Sequence, residues 1–125
     1  MLNFGHTFAH AYEAGLGYSR KLNHGEAVIL GIKTALNFSL RENILSKREY
    51  NLIINHIDNS DLPSSIKKYF SIKDLNKILS FMIKDKKNNS EKINLVLLKK
   101  IGKPIFNKQY SKKKLNIFLS KFLDN

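Results

Sequence analysis

The chain opens with side chains that can coordinate metals or move protons, and helical spacing brings them to one face. His6 and His10 are four residues apart, and Glu13 follows three residues later. On an α-helix positions four apart lie above one another, so both imidazoles point the same way, and Glu13 is close enough to join them. Neutral imidazoles and carboxylates are ligands for zinc or iron. The spacing therefore indicates a metal or catalytic site, against the simpler alternative of hydrogen-bonded core histidines.

A further candidate follows a glycine-broken loop. His24 begins the second predicted helix, with Glu26 in its first turn. Two helices packed antiparallel across a short loop would return His24 to the first helix. Spacing alone then favours His6, His10 and either Glu13 or His24 as ligands, and it names no reaction. Glu13 and Glu26 are equally compatible with orienting a histidine or with a solvated helix charge.

Periodic apolar patterns supply the elements that must position these side chains. Helical spacing predicts five helices, and a β-branched stretch followed by a turn predicts one hairpin. The predicted helices cover residues 4–16, 24–44, 47–57, 72–83 and 112–123, with a short turn over 64–70 and hairpin strands over 93–101 and 104–110. Serines that can cap three of the helices are Ser46, Ser71 and Ser111. The chain is predicted to be one mainly α domain over residues 1–125, a helical domain with one small β-hairpin.

The composition restricts the class of partner. Against 10 acidic residues the chain carries 22 Lys and Arg, a formal charge of +12, which suits a phosphorylated anion or nucleic acid. The cations are mostly lysines spread over many segments, with few arginines for bidentate contacts, so no nucleic-acid partner is expected. Cysteine is absent, which leaves His, Asp and Glu as metal ligands. Neither a membrane-length apolar run nor a signal peptide is visible, so a cytoplasmic location without membrane contact is expected.

Three landmarks carry a resemblance to a known family. Residues 3–11, NFGHTFAHA, followed by NHGEAV at 23–28, closely resemble the signature of the 3-dehydroquinate synthase family, LNFGHTFGHAIE and then LHGEAV. Asp85-Lys86-Lys87, ahead of the predicted hairpin, resembles that family's DKK loop. The resemblance covers essentially the whole chain but only the C-terminal part of the family's fold. It implies that the NAD-binding, Rossmann-like half lies upstream and that this chain is a fragment.

The resemblance also implies a role for each matching residue. His6 and His24 resemble two of the three ligands of a divalent metal, zinc or cobalt, whose third ligand is a Glu of the preceding segment. His10 matches a catalytic residue of the family that contacts the substrate near its phosphate. This implied role differs from the metal-ligand role that spacing alone favours for His10. The other substrate-binding matches are Asn3, Lys86 and Lys87, of which Lys86 is the preferred catalytic lysine. Ala9 replaces the family's usual glycine, a small change.

The implied reaction converts 3-deoxy-D-arabino-heptulosonate 7-phosphate (DAHP) to 3-dehydroquinate plus phosphate, a lyase step of the shikimate pathway that uses NAD and a divalent metal. The implied full-length enzyme is a homodimer, and the isolated chain is expected to be inactive. The nearest alternative is the sister family of iron- or zinc-dependent alcohol and glycerol dehydrogenases. Alternatives of another class are a basic helical module that binds nucleic acid or a partner protein, and a decayed remnant that folds without activity.

Overall fold

The computed structural model describes residues 4–16, 24–59, 66, 69–84 and 92–124. Within these ranges it contains five α-helices and one antiparallel pair of strands. The elements are α1 (His6–Gly15), α2 (His24–Arg41), α3 (Lys47–Asp58), α4 (Leu75–Lys84), β1 (Lys92–Lys100), β2 (Lys103–Ser111) and α5 (Lys112–Asp124). The predicted mainly α fold with one hairpin is therefore confirmed. None of the helices in the described ranges combines the length and the apolar character needed to cross a membrane.

Helices α1 and α2 touch backbone to backbone. Gly5, just before α1, has a φ of +74°, and its carbonyl oxygen accepts a hydrogen bond from the Ala9 N–H at 2.9 Å. A Cβ added to Gly31 of α2 would lie 2.4 Å from that carbonyl oxygen, and one added to Gly5 would lie 2.7 Å from the Ile32 nitrogen. Only residues without a Cβ allow so close a crossing. The crossing fixes the start of α1, and with it His6, against the middle of α2.

A cluster of aromatic rings joins the hairpin and α5 to the first two helices. Phe38 of α2 lies edge-on to Tyr110 of β2 and to Phe118 of α5, each with ring centroids 4.8 Å apart. Phe118 also contacts Phe8 of α1 at 6.4 Å and Phe122 at 5.6 Å. Tilted, edge-to-face and stacked pairs of this kind stabilise a core beyond the area they bury. The helices that carry the candidate histidines are therefore held by residues from the other end of the sequence.

Strand β1 is also tied to α2 by a buried serine. The Leu98 N–H donates to Ser39 Oγ at 3.1 Å, and that hydroxyl donates to the Ala35 carbonyl oxygen at 2.8 Å. Leu98 pairs with Pro104 beside an irregularity in the hairpin register. Because a disturbed ladder leaves strand groups without a partner, the serine satisfies a donor that would otherwise be buried unpaired.

The end of α2 differs from the prediction. The sequence pattern extends this helix to residue 44, whereas the structure ends it at Arg41. Asn43 adopts a left-handed conformation with φ of +61°, and the N–H groups of Ile44 and Leu45 both return to the Ser39 carbonyl oxygen. Asparagine tolerates this left-handed conformation at the end of a helix. The conformation turns the following N–H groups back toward the last carbonyl groups of the helix. The apolar periodicity of the sequence continues beyond Arg41, so it does not indicate where the helix ends.

The three predicted serine caps are present. Ser46 accepts from the Glu49 N–H, and Ser111 accepts from the Lys114 N–H, each at 3.1 Å. Ser71 forms a capping box with Asp74, but the first turn after it, Ile72–Asp74, is a 3-10 turn that precedes α4. The structure describes only Ile66, Tyr69 and Phe70 of the predicted turn over 64–70. The N–H groups of Tyr69 and Phe70 both donate to the Ile66 carbonyl oxygen.

Candidate metal- and substrate-binding site

Helix α1 brings two imidazoles together, as their four-residue spacing predicts. The ring centroids of His6 and His10 are 4.4 Å apart, with the planes tilted by 53°. His6 is half-buried, whereas His10 is exposed. The pair therefore presents one ring that packs against the protein and one ring that faces outward, available to a ligand.

The antiparallel return of α2 brings His24 to the other end of the same helix. His24 Nδ1 lies 3.0 Å from Glu13 Oε2. The Glu13 side chain is only 15% exposed, and the His24 side chain is 67% exposed. A carboxylate can only accept a hydrogen bond, so the neutral ring must carry its proton on Nδ1 and keep an electron pair on Nε2. This is the arrangement in which protein carboxylates commonly orient metal-binding histidines.

The structure thus forms two pairs rather than one cluster. His6 contacts His10, and Glu13, which lies three residues or about 4.5 Å of helix rise beyond His10, contacts His24. Across the part of the chain that the structure describes, no three His, Cys, Asp or Glu side chains group closely enough to hold a metal ion. The three-ligand set that spacing alone favours is therefore not formed. A catalytic zinc site takes three protein ligands, and the described residues do not bring three together.

The start of the hairpin lies beside the histidine-bearing helix. Thr7 Oγ1 of α1 donates to the Asn94 carbonyl oxygen of β1 at 3.4 Å. Thr7 directly follows His6, so the first residues of β1 flank the N-terminal turn of α1. The other predicted substrate-binding residues are Asn3, Lys86 and Lys87, and all three lie outside the described residues.

Sequence reasoning missed a tyrosine that contacts the start of α2. Tyr69 Oη donates to Glu26 Oε2 at 3.0 Å. Burial raises the pKa of Tyr69, and the Glu26 carboxylate raises it further because it disfavours a second negative charge. The contact spans 43 residues, and no periodicity or motif in the sequence signals it. Glu26 is therefore engaged by a tyrosine, and Glu13 is the carboxylate that meets His24.

The comparison with solved structures defines the class of fold. The structure of 2-deoxy-scyllo-inosose synthase complexed with carbaglucose-6-phosphate, NAD+ and Co2+ matches with a TM-score of 0.72 and 22% identity, covering 95% of this chain and 32% of that one. A second structure of 2-deoxy-scyllo-inosose synthase matches with a TM-score of 0.68 and 18% identity. At these identities the likeness shows a shared fold: the chain has the architecture of about a third of such a synthase.

Sequence comparison gives the family. The family model described as 3-dehydroquinate synthase C-terminal matches residues 1–88. The 3-dehydroquinate synthase of Pelagibacter ubique is 62% identical over 98% of this chain, and that of Zymomonas mobilis is 36% identical over 95%. The chain therefore belongs to the 3-dehydroquinate synthase family and corresponds to its C-terminal region, as the motifs predicted. It spans about a third of the length of these curated relatives, 33% and 31% respectively.

Proposed function

We propose that this chain supplies the metal- and substrate-binding part of a 3-dehydroquinate synthase, which converts DAHP to 3-dehydroquinate with loss of phosphate. The observation that carries the proposal is the placement of both histidine motifs, in a member of this family, on two helices in backbone contact. This contact and the Glu13–His24 hydrogen bond hold α1 and α2 antiparallel. The enzyme class is accordingly a carbon–oxygen lyase of aromatic amino acid biosynthesis.

His6 and His24 are the residues we assign to a divalent cation, zinc or cobalt, with a carboxylate from a segment outside this chain as the third ligand. When bound, the cation would polarise a substrate oxygen, and NAD would carry the hydride. Neutral imidazoles suit this task because they leave the positive charge of the cation undiminished. The fit rests on His24, whose Nε2 electron pair is left available by the hydrogen bond at Nδ1.

His10 and the lysines are the residues we assign to the phosphorylated sugar acid. The His10 ring is exposed and lies against His6, so it can donate a hydrogen bond to a phosphate oxygen beside the metal ligand. Asn3, Lys86 and Lys87 complete this assignment through their motif positions, with Lys86 as the catalytic lysine. The formal charge of +12 favours the approach of such an anion. The neighbouring 2-deoxy-scyllo-inosose synthase was complexed with a sugar-phosphate analogue, which supports this substrate class.

A chimera tests the proposal. This chain replaces the corresponding C-terminal third of the Pelagibacter ubique synthase, and 3-dehydroquinate and phosphate release are measured together with bound metal. We expect turnover of DAHP, and loss of metal and activity in His6→Ala and His24→Ala. Because removing a residue that merely orients a ligand costs about 10–100-fold, removing a ligand should cost at least the upper end of that range.

The control is His56→Ala, a histidine exposed on α3, which should leave both readouts unchanged. A folded chimera without turnover would overturn the proposal and favour the decayed remnant. The relatives described above are synthases, so no observation favours the dehydrogenase alternative. The homodimeric state, the cytoplasmic location and the absence of a nucleic-acid partner stay predictions.

A further inference from the structure

The contact between Glu13 and His24 joins a restrained acceptor to an exposed ring. Glu13 lies on α1, is largely buried, and faces a ring whose side chain is 67% exposed. An exposed side chain at the first residue of a helix has several rotamers of similar energy, and a single strong partner selects among them. The acceptor is an anion, so the hydrogen bond is charge-assisted and stronger than a neutral one.

The contact also selects between the two neutral forms of the ring. We propose that Glu13 is a positioning residue that holds His24 with its proton on Nδ1 and presents the Nε2 electron pair to the divalent cation. The last part of this inference rests on the proposed function. The orientation and the tautomer rest only on the 3.0 Å hydrogen bond and on the inability of a carboxylate to donate.

The surroundings leave Glu13 as the carboxylate suited to this task. Glu26 lies closer to His24 in sequence, but its Oε2 accepts from the Tyr69 hydroxyl at 3.0 Å. The close crossing of Gly5 and Gly31 fixes α1 against α2 further along, so Glu13 and the start of α2 cannot slide past each other without breaking that packing. His24 is therefore held by a rigid pair of helices.

The tautomer can be read directly on the full chain without any metal. Long-range 15N NMR distinguishes a protonated ring nitrogen from one with an electron pair, at about pH 8.5 where ordinary imidazoles are neutral. We expect Nδ1–H for His24 in the wild type and a mixed or reversed tautomer in Glu13→Ala and Glu13→Gln, since an amide can donate as well as accept. Glu26→Gln is the matched control and should leave the His24 signals unchanged. An unchanged tautomer in Glu13→Ala, or an equal shift in Glu26→Gln, would overturn the inference.

The second readout is Co2+ binding to the chimera, measured by titration of the cobalt absorption spectrum. We expect Glu13→Ala to weaken Co2+ binding by about 10–100-fold, the usual effect of removing a partner that orients a metal-binding histidine. Co2+ binding that needs His24 but not Glu13 would overturn the inference and leave the proposed function standing. A tautomer set by Glu13, together with Co2+ binding that ignores His24, would overturn the proposed metal site and leave the orienting contact standing.

Discussion

Tyr12 shows how single residues hold the site-bearing helices together. Its side chain is fully buried, and its hydroxyl lies 2.7 Å from Thr34 Oγ1 of α2. The Thr34 hydroxyl donates its only proton to the Leu30 carbonyl oxygen at 2.7 Å, so Tyr12 must be the donor between the two hydroxyls. Burial raises the pKa of Tyr12 well above its ordinary value of 10. The folded chain therefore keeps this proton where the unfolded chain loses it.

Replacing Tyr12 by phenylalanine should change the alkaline stability of the chain. Above pH 10 the unfolded state binds fewer protons than the folded state, so the free energy of unfolding falls as the pH rises, by about 1.4 kcal/mol per pH unit for one such group. Tyr12→Phe removes this pH dependence. Near neutral pH the variant should have a free energy of unfolding lower by about 1 kcal/mol, because the hydrogen bond is lost. Urea unfolding between pH 8 and 11 should show that the free energy of unfolding declines less steeply with pH in the variant than in the wild type. An identical decline would contradict the assignment.

The sequence allowed part of this residue-scale account to be predicted. The shared face of His6 and His10 follows from helical spacing, and the structure places their rings in contact. The return of His24 to α1 was also predicted, but spacing left Glu13 open between a ligand, a partner that orients a histidine and a solvated charge, and only the folded loop decides that it contacts His24. The Tyr69–Glu26 contact depends on folding across 43 residues, which local patterns do not report.

At the scale of elements, the crossing of α1 and α2 depends on two glycines. The helical pattern of α2 was predicted, but the role of Gly31 was not, because its partner Gly5 lies just before α1, far away in the sequence. A glycine inside a helix ordinarily costs about 1 kcal/mol relative to alanine. Here a Cβ would meet the Gly5 carbonyl oxygen at 2.4 Å and the Ala9 nitrogen at 2.8 Å. Both are backbone atoms, so no side-chain rotation relieves the clash.

Gly31→Ala should therefore destabilise the chain although it improves helix propensity. Overpacking of this kind costs about 1–3 kcal/mol. Over most of that range the cost is larger than the gain of about 1 kcal/mol in helix propensity. Gly102→Ala is the matched control: Gly102 has φ of +81° with open space around it, so its substitution adds backbone strain without a clash. Chemical denaturation should show a loss for Gly31→Ala, and only this variant of the two should displace the His6 NMR signals. A Gly31→Ala variant as stable as the wild type would refute the close crossing.

At the scale of the whole molecule, the aromatic cluster explains why the C-terminal elements matter for a site at the N-terminus. Phe118 is 8% exposed and contacts rings from α1, α2 and α5. Phe118→Ala should lower the free energy of unfolding by about 3–5 kcal/mol, the usual cost of emptying a buried aromatic site. Ile117→Ala, at a neighbouring position that is 51% exposed, should cost far less. Thermal and urea unfolding measure both, and equal losses would contradict this view of the core.

The helices, the hairpin and the serine caps were predictable because each follows from local periodicity or a local donor–acceptor pair. A complete metal site was not predicted, because the family resemblance implies a third ligand from the preceding segment, and no three candidate ligands group together in the described residues. We therefore expect the isolated chain to bind zinc more weakly than micromolar and to show no turnover of DAHP, since two ligands make half of a tetrahedral site. Calorimetric titration with zinc measures this. Sub-micromolar affinity, or turnover without a second chain, would contradict it.

The identity of the imidazole ligands is tested most directly by X-ray absorption on the Co2+-loaded chimera. The spectrum counts imidazole nitrogens around cobalt in the wild type and in the variants His6→Ala, His10→Ala and His24→Ala. We expect two imidazoles in the wild type and in His10→Ala, and one in each of the other two variants when the Co2+ concentration is raised to offset their weaker binding. Loss of an imidazole in His10→Ala, or an unchanged count in His24→Ala, would contradict the assignment of His6 and His24 to the metal.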